Sequence, residues 1–292
     1  MLVTDREGTL ACVTQPDHGR VAGVLAEQWG NATFETGDPR EPLIGAATHH
    51  DDGWRALDDV PALNLDAMRP AHFLEVPLPQ TIAAYAGGVE EIYAADPHVG
   101  VLVSMHWAGL YSSRWGIQQS PALEAPAARA AVRDQERRWH GAARDLWDFQ
   151  GLRSDFESRL WHSYEVLQAL DFLSLFLCLV DVERSSERST PPVMMPDTLR
   201  DTVQRPGARL LPSVPTRRGG EHVTLTLTVS APRVVTVEPF PFAAAKVEVE
   251  IPLRRLPRVR YASASAAADA YRRAVVSPLP CTLVGPAPDG RA

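Results

Sequence analysis

The sequence predicts a mainly α-helical bundle with a small C-terminal β appendage, α+β overall. Three observations predict it. Over residues 14–180 apolar residues recur at intervals of three and four, the period of helices that bury one face. From residue 222 to 251 the pattern changes to strict alternation, the period of half-buried strands. Between them, residues 185–220 are rich in Pro, Ser, Thr, Arg and Gly, including Pro191-Pro192, Pro206-Gly207 and Gly219-Gly220, the composition of a loop. The expected organisation is a helical domain over residues 1–184, a loop-rich linker over 185–220, and a small β-rich unit with a terminal helix over 221–292. That last unit is expected to pack on the helical part, because three strands and one helix bury too little to stand alone.

The elements follow in order. Thr14-Gln15-Pro16-Asp17 reads as a helix start, with Thr14 as cap and Asp17 at the third position, followed by a stripe of Val21, Ala22, Leu25 and Trp29. A second helix begins after Pro42 and aligns Leu43, Ala46, Ala47, Trp54 and Leu57. A third follows Asp96-Pro97 and covers residues 99–110. Residues 122–149 are charged and helical, with Trp139 and Trp147, and read as an outer packing helix or a lid. A long helix covers residues 155–180. Val223, Leu225, Leu227 and Val229 alternate with polar residues, as do Val247, Val249 and Ile251, so both segments read as strands. Residues 233–237 are a third short strand, 265–275 a terminal helix, and the tail from Gly285 frays.

Composition excludes several function classes. The chain has 292 residues, 45% hydrophobic and 22% charged, with a formal net charge of −7, enough apolar material for a sizeable core. Its basic residues are nearly all scattered arginines, Lys246 being the lone lysine, which together with the acidic balance argues against nucleic acid. No basic segment followed by an apolar stretch opens the chain at Met1, and the longest apolar run, residues 172–180, is far short of a membrane span. Cys12, Cys178 and Cys281 are odd in number and too far apart for a metal knuckle, as in a reducing compartment. The expectation is a cytoplasmic protein with neither membrane nor nucleic-acid partners.

The chemistry lies in polar residues set on the apolar stripes. His18 is in register with Val21, Ala22, Leu25 and Trp29. His50 stands inside the second stripe and is followed by Asp51, and His106 shares the face of Leu102, Val103 and Leu110. Asp171 lies with Tyr164, Leu167, Ser174, Leu175 and Cys178 in a stretch almost free of charge. An ionised carboxylate without a partner in an apolar interior costs several kcal/mol, so such groups are paired or coordinate a metal. One inward histidine is more often a satisfied core group than a ligand. Here four helices each place such a residue inward, so His18, His50, Asp51, His106 and Asp171 are expected to form one site for a divalent transition metal (Mn, Fe, Zn or Co), as one or two ions. Asp52 reads as a general base or as an acceptor orienting a ligand imidazole, with an exposed helix acid as the alternative. His49 competes with His50, although the spacing to Asp51 and Gly53 favours His50. Arg20, Arg55 and Arg114 either reach an anionic substrate or are solvated surface groups. His72, His98, His140 and His162 sit on no comparable stripe.

The order of these motifs, a helical His, then His50-Asp51 with Asp52-Gly53-Trp54, then a distant Asp on a late helix, resembles the HD metal-hydrolase superfamily. The segments Gln15-Pro16-Asp17-His18 with Trp29-Gly30, His50-Asp51-Asp52-Gly53-Trp54, Ser104-Met105-His106, Leu167-Gln168-Ala169-Leu170-Asp171-Phe172-Leu173-Ser174-Leu175 and Val237-Glu238-Pro239-Phe240-Pro241-Phe242 look like the domain-of-unknown-function family 3891. The HD resemblance implies an HD-domain-like bundle with His18, His50, Asp51 and Asp171 as metal ligands. It also implies that His106 would serve a second ion where two are bound. Many HD hydrolases have Lys where this chain has Trp54, which puts an electrostatic helper for phosphate in doubt.

A metal held by three or four protein groups keeps a coordination position for water, whose pKa then falls toward neutrality. The leading expectation is a metal-dependent phosphohydrolase acting on a small molecule, anionic in keeping with such a site. Neither Gly-x-x-x-x-Gly-Lys-Ser nor Gly-x-Gly-x-x-Gly occurs, so nucleotide binding is not indicated. The alternatives are a di-iron HD-type oxygenase that cleaves a carbon bond, and a noncatalytic metal-binding module that senses a ligand.

Overall fold

Two strands precede the first helix. β1 (Leu2–Arg6) and β2 (Thr9–Val13) form a hairpin, and Gly8 in its turn takes φ +78°, a conformation that glycine adopts without steric cost. The computed structural model describes residues 1–6, 8–112, 125–147, 151–184 and 209–287. The hairpin is followed by α1 (Gln15–Gln28), α2 (Arg40–His49), α3 (Arg55–Asp59), a ribbon of β3 (Leu63–Asn64) and β4 (Arg69–Pro70), and α4 (Leu78–Ala95). Next come α5 (Pro97–Tyr111), α6 (Pro126–Leu146) and α7 (Arg153–Leu179). The remaining elements are β5 (Arg209–Pro215), β6 (His222–Ala231), β7 (Val234–Glu238), β8 (Lys246–Pro257), α8 (Ala264–Arg273) and β9 (Val276–Val284).

The expected helical bundle with a small β appendage, α+β overall, is corrected to an α/β fold. Helices make up 51% of the described residues, but seven strands form one curled mixed sheet in the order β1-β2-β8-β9-β7-β6-β5. Its neighbours are antiparallel except β7 and β9, which run parallel. The N-terminal hairpin joins this sheet through β8, with Leu10 opposite Leu256 and Cys12 opposite Arg254. Val3, Leu10 and Cys12 on one face of the hairpin pack with Tyr261, Ala267 and Tyr271 under α8, while Leu2, Ala11 and Val13 on the other join the main core. A strand buried on both faces loses the alternation that marks a half-buried one. β5 contains Pro212 and Pro215, and β9 contains Pro278 and Pro280, so both carry the composition of loops. Residues 185–208 of the expected linker, Arg114, and the tail from 288 lie outside the described residues.

Helices α1 and α7 lie against the sheet, α1 on β8 and α7 on β1 and β5, and they pack on each other; α5 packs behind them on α2, α4, α6 and α7. Thr14 caps α1 as its sequence predicts, its Oγ1 accepting from the Asp17 N–H at 3.0 Å. The single helix expected after Pro42 is two. α2 stops at His49, a 3₁₀ turn spans Asp52–Trp54, and α3 follows. That turn presses on α4: a Cβ on Gly53 would lie 2.1 Å from the Ala84 carbonyl oxygen, so only glycine permits the approach. At the far end of α7, Arg6 Nη2 donates to the Cys178 and Val180 carbonyls, both at 3.0 Å, and so caps the helix from β1. The three cysteines are buried and unpaired, and burial pushes the Cys12 and Cys178 thiols up to about 12. Among the described residues no helix is long and apolar enough to cross a membrane.

Asp58 on α3 ties the entry of the chain to the start of α1. Its Oδ1 meets the Met1 ammonium at 2.6 Å and its Oδ2 accepts from the Gln15 N–H at 2.6 Å, all in the interior. Removing one partner of a buried ion pair strands the other. Asp58→Ala is therefore expected to lower stability by about 3–5 kcal/mol in urea denaturation, whereas a loss under about 1 kcal/mol would show that the pair does not hold this corner.

Candidate metal centre

The four helical segments that carry inward polar residues converge. His18 lies on α1, His50 and Asp51 directly follow α2, His106 lies on α5 and Asp171 on α7. None of the five is more than 7% exposed. His18 Nε2 is 2.8 Å from Asp51 Oδ2, His50 Nε2 is 3.2 Å from Asp171 Oδ1 and 3.8 Å from Asp51 Oδ2, and His106 Nε2 is 3.6 Å from Asp171 Oδ2. The rings of His18 and His50, and those of His50 and His106, meet edge to face at 4.9 and 5.0 Å.

The outer hydrogen bonds fix where the protons are. His50 Nδ1 is 2.9 Å from the Ala47 carbonyl, which can only accept, so Nδ1 carries hydrogen and Nε2 faces the two carboxylates. The Ser174 hydroxyl donates to the Asp171 backbone carbonyl at 2.8 Å, which leaves its oxygen to accept from His18 Nδ1, also at 2.8 Å. His18 Nε2 is thereby aimed at Asp51. If both rings were neutral, two nitrogen lone pairs would oppose carboxylate oxygens in an apolar interior. Either protons or a cation must lie between them.

Electrostatics agrees with this geometry. Burial alone would lower the His50 pKa, but Asp51 and Asp171 outweigh it and raise it to about 9. Burial alone would raise Asp171, yet its hydrogen bond from His50 and the nearby His106 and His18 hold it down at about 2; Asp51 is likewise lowered, burial being outweighed by His50 and His18. His106 differs: burial brings it down to about 4 against the pull of Asp171, and so keeps it neutral.

His18, His50 and Asp51 form one group, and His50, His106 and Asp171 a second, in which the ligand-type atoms lie within 4.8 Å of one another, so these residues can hold a metal ion. Two atoms each about 2.1 Å from a common ion stand about 3.0–3.4 Å apart for octahedral to tetrahedral angles; the 3.2 Å between His50 Nε2 and Asp171 Oδ1 lies in that range, and the 3.8 Å to Asp51 Oδ2 is longer. Asp51 Oδ1 and both ring nitrogens of His106 are buried with no hydrogen-bond partner among the described residues; Asp51 Oδ1 and the one His106 nitrogen that carries a lone pair are groups a cation could engage. Both groups include His50, whose Nδ1 is committed to the Ala47 carbonyl.

The other expected residues fall elsewhere. Asp52 is engaged near the surface by His49 at 2.8 Å and Arg55 at 3.1 Å, away from the five. His49 is half-exposed, so His50 and not its neighbour belongs to the cluster. Arg20 pairs with Asp17. Trp54 is buried edge to face on Tyr85 and Phe73. His72 caps a short 3₁₀ turn, and His162 Nε2 lies 3.3 Å from the Glu35 carbonyl. The sequence reading assigned Ser174 no role; its position three residues after Asp171 on the same face was the available signal.

A family model described as protein of unknown function (DUF3891) matches residues 1–258. Comparison with curated proteins and with solved structures returns no match.

The pKa shifts set a stability profile for the protein stripped of metal. The raised His50 contributes stability that is full below its ordinary 6.5 and lost as pH rises through about 9. The depressed Asp171 contributes stability that is full above 3.8 and lost as pH falls toward 2. The melting temperature after chelation is therefore expected to be highest between these limits and to decline toward pH 9. A profile that stays flat or climbs from pH 6.5 to 9 would show that His50 does not carry the compensating proton.

Proposed function

We propose, from the premise that the chain belongs to the DUF3891 family of proteins of unknown function, that it is a metal-dependent hydrolase of HD type acting on a small phosphoester. One observation carries this reading: His18 and His50 have their Nδ1–H groups committed outward and their Nε2 atoms turned on Asp51 and Asp171. A divalent ion (Mn, Fe, Zn or Co) held by His18, His50, Asp51 and Asp171, with His106 beside it, supplies Lewis acidity and a lowered water pKa, the chemistry of hydrolysis.

The chain's own residues do the rest. The Ala47 carbonyl and the Ser174 hydroxyl hold the two imidazoles in the tautomer that presents Nε2 inward. The packing of α1, α5 and α7 keeps bulk water from the carboxylates, which strengthens every charge interaction inside. Neutral His106 offers one donor and one acceptor nitrogen beside Asp171. Among the described residues the ion partners of Asp51 and Asp171 are histidines, and Arg20 and Arg55 are held by Asp17 and Asp52. Among the described residues, neutralising a substrate anion would thus fall to the metal.

Metal analysis of protein purified without chelator is expected to give about one divalent ion per chain, with hydrolysis of p-nitrophenyl phosphate or its diester in manganese. Asp171→Ala is expected to lose the ion and to reduce hydrolysis at least about 100-fold. Two irons per chain with a visible absorption band would replace hydrolysis by oxygenase chemistry. No bound metal, with folding retained in His50→Ala and Asp171→Ala, would leave a ligand-sensing module.

A further inference from the structure

On the outer side of the helical layer, α6 and α7 border an open groove of about 650 Å³ lined by Arg133, Glu136, Arg137, Trp139, His140, Gly141 and Trp161. It shares no residue with the metal centre. On α7, Trp161 and Asp171 are ten residues apart, about 15 Å along the axis. The volume is that of a small-molecule site.

The lining divides into a floor of two indoles and an edge that carries Arg133, Glu136 and Arg137, Glu136 being itself engaged by another group. Trp139 and Trp161 form the floor, their rings 5.8 Å apart and nearly perpendicular at 86°, with Trp161 39% exposed. The Trp139 indole N–H is buried and has no hydrogen-bond partner among the described residues. Arg133 and Arg137 on that edge are four residues apart on α6. Like charges at that spacing repel, and an anion between them relieves it. Arg137 is paired at the surface with Asp134, while Arg133 has no ion partner among the described residues. Gly141 continues the row one turn on. A Cβ added there meets no atom of the described residues within 4 Å, so among them this glycine serves no close contact, although glycine inside a helix costs about 1 kcal/mol relative to alanine.

We propose that this groove binds a small planar aromatic anion, its ring against Trp139 and Trp161 and its acidic group on Arg133 and Arg137. Aromatic faces take the ring by stacking, and guanidinium groups take a carboxylate or phosphate by charge-assisted hydrogen bonds.

The test is calorimetric titration of the full chain at low salt with two probes of the same ring and different charge, 1-naphthoate and 1-naphthalenemethanol. The naphthoate is expected to bind with Kd below about 1 mM and the alcohol about tenfold more weakly or worse. The double variant Arg133→Gln, Arg137→Gln is expected to weaken naphthoate about tenfold and to leave the alcohol unchanged. Gly141→Leu, whose Cβ would enter open space and whose side chain would occupy the groove, is expected to keep or raise the melting temperature while abolishing binding of both. Failure of naphthoate to bind at millimolar concentration overturns the proposal, as does naphthoate affinity that ignores the arginine changes or survives Gly141→Leu.

Discussion

Two carboxylates, Asp51 and Asp171, are buried where four helical segments meet, and the local structure depends on balancing their charge. A buried carboxylate left uncompensated costs several kcal/mol or gives up its ionisation. Here each faces an imidazole nitrogen whose opposite nitrogen already donates elsewhere. Two protons, one on His18 and one on His50, would bring the group to neutrality, and so would a single divalent cation with both rings neutral. We read the cluster as built for that exchange, because its ligand-type atoms come from separate elements and meet at separations that suit a shared ion.

The α/β framework explains how such a cluster is held. α1 and α7 carry His18 and Asp171, and both rest on the seven-stranded sheet, one on β8 and the other on β1 and β5. The N-terminal hairpin reaches across to β8 and, through Arg6, closes the end of α7. Asp58 secures the opening turn of α1. The Gly53 turn sets α4 against the segment that carries His50 and Asp51, and the abrupt end of α2 at His49 directs His50 inward while His49 stays at the surface. Supports of this kind, remote from the chemistry, set the geometry of the ligands.

Much of the candidate site was legible in the sequence and less of the fold. His18, His50, His106 and Asp171 each break an apolar stripe at a helical position, and such breaks are visible because helical periodicity is a local property. The Thr14 cap is local in the same way. The sheet is not: β2 finds its partner near Leu256 at the other end of the chain, its burial on both faces erases alternation, and prolines in β5 and β9 imitate loop composition. The role of Ser174 escaped because its oxygen matters only through His18, which is 156 positions away. Asp52 left three readings open from its place in the motif, a general base, an orienting acceptor or an exposed helix acid, and the 3₁₀ turn after α2 sets it beside His49 and Arg55.

The central claim is that His18, His50, Asp51 and Asp171 surround one cation, and anomalous diffraction from crystals grown with Mn²⁺ or Zn²⁺ tests it most directly. The account predicts one strong anomalous peak per chain, about 2.0–2.3 Å from His50 Nε2 and from atoms of His18, Asp51 and Asp171. Absence of a peak among these residues at saturating metal, with the imidazoles still hydrogen-bonded to the carboxylates, or a peak bound somewhere else on the chain, would contradict it.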